Sequence, residues 1–331
     1  MPSHALQHPE VRKRIAAAPQ WPSYKGVSQL VGINGRCAIY IDPSLGVPGV
    51  QNATDLLGDA DRVMKFNDAT FGGAGGHVDV IVFALGDMTD GTGGADHMGC
   101  DFSTGAQVEV CASFGDSLRC SGLFEAELSE CSMNNQLCGL STGEALSRWC
   151  AMLVSNNALS DFASAPAWFQ QGIRNWVDIV DPSDTNYDSI GCGMAFISWL
   201  MGHALSLPKI AQAMVAAGDN GTLATLYEKL TGISAMHAWT DFQAAIAALP
   251  RGVTSDDPFG AMGAPIPGPT PPPQPPQPAP QPSPVPPPVP RPGTSPGELA
   301  FLLLDSIGGD VALHSSTSIM KAHVQAILDG N

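Results

Sequence analysis

Two glutamates three residues apart, Glu127 and Glu130, carry the chemistry that the segment Gly122 to Glu130 (Gly-Leu-Phe-Glu-Ala-Glu-Leu-Ser-Glu) could perform. On a helix this spacing sets the two carboxylates about one turn apart on one side, with Glu125 pointing elsewhere. In a cleft with no cation between them, like-charge repulsion and desolvation raise the pKa of at least one. Such a pair can share a proton and act as acid and base. On an open helix face the same residues are only solvated surface charges.

The elements that must position them change character along the chain. Arg36 to Asp42 (Arg-Cys-Ala-Ile-Tyr-Ile-Asp) reads as a strand closed by the turn-forming Asp42-Pro-Ser-Leu-Gly46. From Ala53 to Phe66 the residues Leu56, Leu57, Ala60, Val63, Met64 and Phe66 recur at helical spacing, and Gly72-Gly-Ala-Gly-Gly76 ends that helix. His77 to Leu85 is a nearly continuous apolar run rich in β-branched residues, which predicts an interior strand at the centre of a sheet. Beyond the Gly- and Asp-rich loop Gly86 to Asp101, the run Ala106 to Cys111 alternates as an edge strand does. The Glu127 helix follows. After it the pattern is helical: Ser141 to Asn156, a turn at Pro166-Ala-Trp-Phe-Gln-Gln-Gly172 into another helix, Met194 to His203, Leu207 to Ala217, Thr222 to Thr231, and Ala235 to Leu249. Strands first and helices second predict the α+β class.

This order, with Leu123-Phe-Glu-Ala-Glu-Leu-Ser-Glu130 where that family carries its H-E-L-x-H helix, resembles the gluzincin metallopeptidases, the thermolysin-like branch of the zincins, over residues 36 to 249. The resemblance implies a zincin-like fold: a small N-terminal mixed sheet with helices, an active-site helix, then an all-helical C-terminal half. Set against H-E-x-x-H, Glu127 keeps the place of the catalytic glutamate, while the two ligand positions read Ala126 and Glu130. Gly143-Glu-Ala-Leu-Ser147 is similar to the family's N-E-x-x-S segment and implies Glu144 as a metal ligand. Ala165-Pro-Ala-Trp-Phe-Gln-Gln-Gly172 is similar to the P-x-W-x-x-E-G segment of other gluzincin-like families, whose metal-binding glutamate would stand at Gln171. Only one of these two placements can hold. Gluzincins also place a Tyr or His downstream to stabilise the oxyanion, and Tyr187 and His203 are the residues that could take that part.

A catalytic zinc normally takes three protein donors and a water whose pKa the ion lowers. Ala126 offers no donor. Glu130 with Glu144 would make a carboxylate-rich site for a divalent metal, better suited to Mg, Mn or Ca than to zinc. The nearest spare nitrogen is that of His97, in Gly93-Gly-Ala-Asp-His-Met-Gly99. In the architecture the resemblance implies, this loop leads into the edge strand beside the cleft, so His97 or Asp96 could replace the lost ligand; otherwise His97 is a solvated loop residue. Cys120 and Cys131 flank the helix, but Cys131 falls with Phe124 and Leu128 on its apolar stripe and reads as core. The acidic run Asp178 to Asp188 lacks EF-hand spacing and reads as a solvated loop.

The chain has 331 residues, 44% of them hydrophobic and 14% charged, with a formal net charge of −16. That charge repels phosphate backbones and anionic lipid, so nucleic acid and membrane surfaces are not expected as partners. No apolar run follows Arg12-Lys13-Arg14, and no stretch reaches the roughly 18 residues of a membrane span, which predicts a cytoplasmic protein. There the eight cysteines are expected as free, buried thiols. The predicted domain map is an extension over residues 1–35, a zincin-like globular domain over 36–262, a Pro-rich linker over 263–296, and a short helical tail over 297–331. Proline fixes φ and removes donors, so the linker is an extended spacer. The tail's apolar stripes, Leu299, Leu302, Leu303 and Ile307 in its first half, could dock on a protein partner or fold back on their own domain.

Three functions fit these residues. A zincin-fold protein with impaired catalysis, binding a peptide or protein in its cleft, needs nothing that the sequence lacks. A hydrolase with a remodelled carboxylate-rich metal site would use Glu127 as general base. A scaffold could act through the Pro-rich segment, where Pro271-Pro-Pro-Gln-Pro-Pro has P-x-x-P spacing, although spacing of that kind is unavoidable in a sequence so dense in proline.

Overall fold

A continuous apolar, β-branched strand is stable only where both its faces are covered, and Val78–Phe83 (β3) is buried along its whole length. It is the middle strand of five among the described residues, which are 19–103 and 106–263 of the computed structural model. The order across the sheet is β1 (Gln29–Asn34), β2 (Cys37–Ile41), β3, β5 (Ala106–Cys111) and β4 (Ala95–His97). Strands β2, β3 and β5 run parallel, and β1 and β4 lie antiparallel at the two edges. A small mixed sheet followed by helices is compatible with the α+β class. The expected linker and tail lie outside the described residues.

Alternation within the strands divides the core. Ile39, Val80, Val82, Val108 and Val110 face the helices, while Ala38, Tyr40, Ile81 and Phe83 pack beneath Trp21 and Tyr24. Ser23 and Tyr24 also donate their backbone N–H groups to buried Glu109, at 2.8 and 2.6 Å. The globular domain therefore begins before residue 36, the expected start: residues within the expected extension supply an edge strand and the cover for one sheet face. The expected edge strand is also displaced. β5 is interior, with only Gln107 short of full burial, because β4 pairs along its outer side. A three-residue strand shows no period, which hides β4 in its Gly-rich loop. Gly93 leads into it where a Cβ would come within 1.9 Å of the Leu85 carbonyl, so only glycine fits.

The helix expected over Ala53 to Phe66 is Gly46–Phe71 (α1), which crosses over between parallel β2 and β3. Pro48 is tolerated in its first turn, where N–H groups lack intrahelical partners, and Gly72 ends it at φ 82°. Ser117–Ser132 (α2) carries Glu127; its N-cap Asp116 accepts from the Arg119 N–H at 3.0 Å. Ser141–Val154 (α3) packs against α2. Ala165–Gln170 (α4), Tyr187–Gly202 (α5), Leu207–Ala217 (α6), Leu223–Thr231 (α7) and Ala238–Ala247 (α8) complete the helical half around Trp149, Trp168, Phe196 and Phe242. Among the described residues no helix is long and apolar enough to cross a membrane.

Buried polar contacts set the rotation of α2 against α1. Asn52, Asp59 and Asn67 are all buried and lie about two turns apart along α1. Asn52 Oδ1 accepts from Ser113 N at 2.8 Å and from Cys120 Sγ at 3.2 Å. Asp59 accepts from Ser121 Oγ at 2.6 Å. Asn67 Nδ2 donates to Glu125 Oε1 at 3.1 Å, and its Oδ1 accepts from Ser132 Oγ at 2.5 Å. Rotating α2 by one residue, about 100°, would break the bonds to Cys120, Ser121, Glu125 and Ser132. They bury Glu125 and leave Ala126, Glu127 and Glu130 on another side.

Two outcomes follow from that interface. Asn67→Ala orphans the Ser132 hydroxyl and one Glu125 contact, and should cost about 1–3 kcal/mol in urea unfolding. Burial pushes the Glu125 carboxyl up to about 8, against the opposing bonds from Asn67 and Ser129. The folded chain thus holds a proton that the unfolded chain releases near the ordinary value of 4.5. Stability from this group is full below the ordinary value and falls as pH rises towards about 8, by up to about 1.4 kcal/mol per pH unit. Glu125→Gln should remove that slope; an unchanged slope would mean that Glu125 is ionised in the fold.

Candidate functional site

A cavity of about 360 Å³ opens where the loop before β4 meets α2, α3 and the start of α5. Ala126 and Glu127 of α2, Glu144 and Arg148 of α3, Tyr187 at the first position of α5, and Asp256 line it. The contacts of α1 aim the methyl of Ala126 and the carboxylate of Glu127 at this space. Glu130 stands one turn further on, where Ser147 Oγ donates to it at 3.3 Å.

Strand β4 ends in His97, whose ring reaches both glutamates. Its Nδ1 lies 2.9 Å from Glu127 Oε2 and its Nε2 lies 3.8 Å from Glu130 Oε2. These three side chains are only 12–15% exposed. Glu144 is taken up by Arg148, with Nε to Oε1 at 2.6 Å, and the same guanidinium sits 5.3 Å from the centre of the Tyr187 ring and donates to the Phe162 carbonyl at 3.0 Å.

The proton affinities follow from this crowding. Burial pushes the Glu130 carboxyl well up, and the charges of Glu127 and Glu144 push it further. Burial also raises Glu127, against its hydrogen bond to His97. Burial alone would lower His97, but the Glu127 hydrogen bond and charge, with Asp96 and Glu144, raise its pKa on balance. Proton-holding groups of opposite type thus meet within hydrogen-bond reach, an arrangement that can take up and pass a proton.

The structure gathers His97, Glu127, Glu130, Glu144 and Tyr187 at one cleft. His203 is not among them: it lies at the other end of α5, about 24 Å along that helix from Tyr187, with its ring against Trp199. Gln171 is exposed at the end of α4, so of the two competing segments only the one with Glu144 reaches the cavity. Cys120 and Cys131 are buried in the core. Cys100 and Cys138 depart from the expectation of free thiols: they form a disulfide, their Cα atoms 6.0 Å apart, while the other six cysteines are free and buried. The loops that carry them are joined where Asn135 N donates to the Cys100 carbonyl at 2.9 Å. The acidic run is not simply solvated either, because buried Asp181 accepts from Ser141 Oγ at 2.9 Å and from Asn186 Nδ2 at 2.6 Å. Sequence reasoning missed Arg148, although Glu144 and Arg148 stand at helical i,i+4 spacing. Nothing in the sequence signals Asp256, whose Oδ1 accepts from Ser164 N and Ala165 N at 2.9 and 2.7 Å.

The zinc that an H-E-x-x-H helix binds does not fit these residues. A methyl stands at one ligand position, a guanidinium already holds Glu144, and His97 spans Glu127 and Glu130 through both ring nitrogens. No protein-family model matches the chain, and no curated protein matches it in sequence. Among solved structures, the chain is similar to a crystal structure of an M1 zinc metallopeptidase mutant from Deinococcus radiodurans, at 9% identity and a TM-score of 0.37. The match covers 66% of this chain and 51% of that one, so the chain spans about half that protein's length. A likeness this distant carries no weight in the reading of the site.

His97 reports on the cluster directly. Its imidazole should titrate above the ordinary 6.5 in an NMR pH series, and Glu127→Gln should move it down by removing the bond and charge that raise it. A His97 pKa unmoved by Glu127→Gln would contradict the contact.

Proposed function

We propose that this is a zincin-fold, metallopeptidase-like protein whose cleft binds a peptide or protein segment, and whose hydrolytic zinc chemistry has been lost. The observation that carries this reading is Ala126: its methyl lines the cavity beside Glu127, at the place where the resembled family has a metal ligand. The pairing of Glu144 with Arg148 supports it, since the third donor is already neutralised within the protein.

Binding needs only what lies around the cavity. β4 is an edge strand, and an extended peptide can add to such an edge through main-chain hydrogen bonds while one side chain enters the cavity. Glu127, Glu144 and Asp256 outnumber Arg148 along the wall, and the chain as a whole carries −16, so a basic or neutral segment fits better than an acidic one.

A second reading has its own observation. His97 is held against Glu127 and near Glu130, which is where a replacement ligand would need to be for a divalent cation on Glu130, Glu144 and His97, with Glu127 as general base. It requires Glu144 to leave Arg148. A peptide library offered to wild type and to Glu127→Gln, with metal content measured on the same samples, separates the two. Peptide capture without cleavage, unaffected by added Mg2+, Mn2+ or Zn2+, is expected. Cleavage that depends on Glu127 and on stoichiometric metal would overturn the binding reading. Absence of both capture and cleavage would overturn both.

A further inference from the structure

His97 has a second neighbourhood that the cleft does not use. Its Nε2 lies 3.9 Å from Cys100 Sγ, and one donor atom from each of His97, Cys100 and Cys138 falls within 4.8 Å of the other two. The first two residues stand at H-x-x-C spacing, which lets one short turn present both donors to one point, as the paired ligands of structural zinc sites do. Cys138 arrives from the connection between α2 and α3, and the Asn135 N–H bond to the Cys100 carbonyl holds that connection in place. Glu130 Oε2 lies 3.8 Å from the same Nε2 and can complete a fourth position. All three of His97, Cys100 and Cys138 are half-buried, so an ion and a reductant can reach them.

We propose that Cys100, Cys138 and His97 form a thiolate-imidazole site for a soft divalent ion of the Zn2+ class, present only when the Cys100–Cys138 disulfide is reduced. Opening the disulfide breaks the S–S bond and adds two electrons and two protons, supplied by a dithiol that leaves as its own disulfide. The ion then displaces the thiol protons, and two sulfurs with one nitrogen are the donors zinc prefers. The Cα separation of 6.0 Å suits a disulfide and also leaves room for both sulfurs to turn towards one ion. Because His97 Nε2 would face the metal while Nδ1 faces Glu127, an occupied site ties the ring in the form that donates to Glu127 and links the redox state of two loops to the cleft. This site needs no peptide in the cleft, but it draws on His97 Nε2 and Glu130, so it excludes a cation held by Glu130, Glu144 and His97.

The test uses the full chain, stripped of metal, in two states: oxidised, and reduced with a phosphine that is removed under argon before Co2+ is added. Reduced protein should bind one Co2+ with the intense thiolate-to-cobalt absorption of a tetrahedral site, and Zn2+ should displace it; oxidised protein should not. Cys100→Ser and Cys138→Ser should each lose most of that absorption, and Cys131→Ser should keep it. His97→Gln should weaken Co2+ binding by more than about tenfold, since even partners that only orient a ligand are worth that much. Equal binding by oxidised and reduced protein, cobalt spectra without sulfur ligation, or full absorption in Cys138→Ser would each overturn the proposal. The oxidised and reduced comparison needs no variant, so misfolding of a cysteine variant does not leave the proposal untested. Failure here would leave the peptide-binding reading untouched, because that reading uses neither cysteine.

Discussion

Asn52, Asp59 and Asn67 of α1 hold α2 at a single rotation, and the cleft inherits its content from that setting. Apolar packing alone would tolerate a helix turned by a fraction of a residue, whereas a buried hydrogen bond left unmade costs about 1–3 kcal/mol. The contacts with Cys120, Ser121, Glu125 and Ser132 are spread over the length of the helix, so a rotation strains them together. Of the three glutamates on α2, the one that meets Asn67 is committed to the core, and the other two turn to His97 and the cavity.

The cleft then solves a charge problem with few cations. Glu127, Glu130 and Glu144 converge, and unit charges about 4 Å apart at an effective dielectric near 20 repel by about 4 kcal/mol. A metal ion is the usual answer to such crowding. Here Arg148 neutralises Glu144, His97 takes a raised proton affinity from Glu127, and Glu130 retains its proton more strongly than an exposed glutamate. These internal pairings compete with any cation for the same oxygens. The sheet contributes the other half of the site, because β4 carries His97 to α2 and is the edge strand among the described residues.

How much of this was legible follows from the range of the contacts. The central strand could be read from His77 to Leu85 because burial on both faces leaves an apolar run broken only by Asp79, and α6 could be read from Leu207 to Ala217 because its one buried face repeats at helical spacing. Glu127, Glu130 and Glu144 were legible through local motifs. β4 was not, since three residues after two glycines carry no period, and its absence made Ala106 to Cys111 read as an edge. Cys100 and Cys138 are 38 residues apart and meet only once two loops are placed, so no local pattern in the sequence signals their pairing. His203 shows the opposite error: a residue type suited to oxyanion stabilisation lies on the same helix as Tyr187, but at its far end.

Arg148 on Glu144 and His97 on Glu127 are the pairings that we propose keep zinc out of the cleft. Anomalous scattering at the zinc edge, from crystals of the oxidised full chain grown with Zn2+, tests that proposal most directly. No ion is expected between Glu130 and Glu144, with Arg148 still on Glu144 and His97 still on Glu127. A zinc peak about 2.0–2.2 Å from oxygens of both Glu130 and Glu144, with Arg148 displaced, would contradict it.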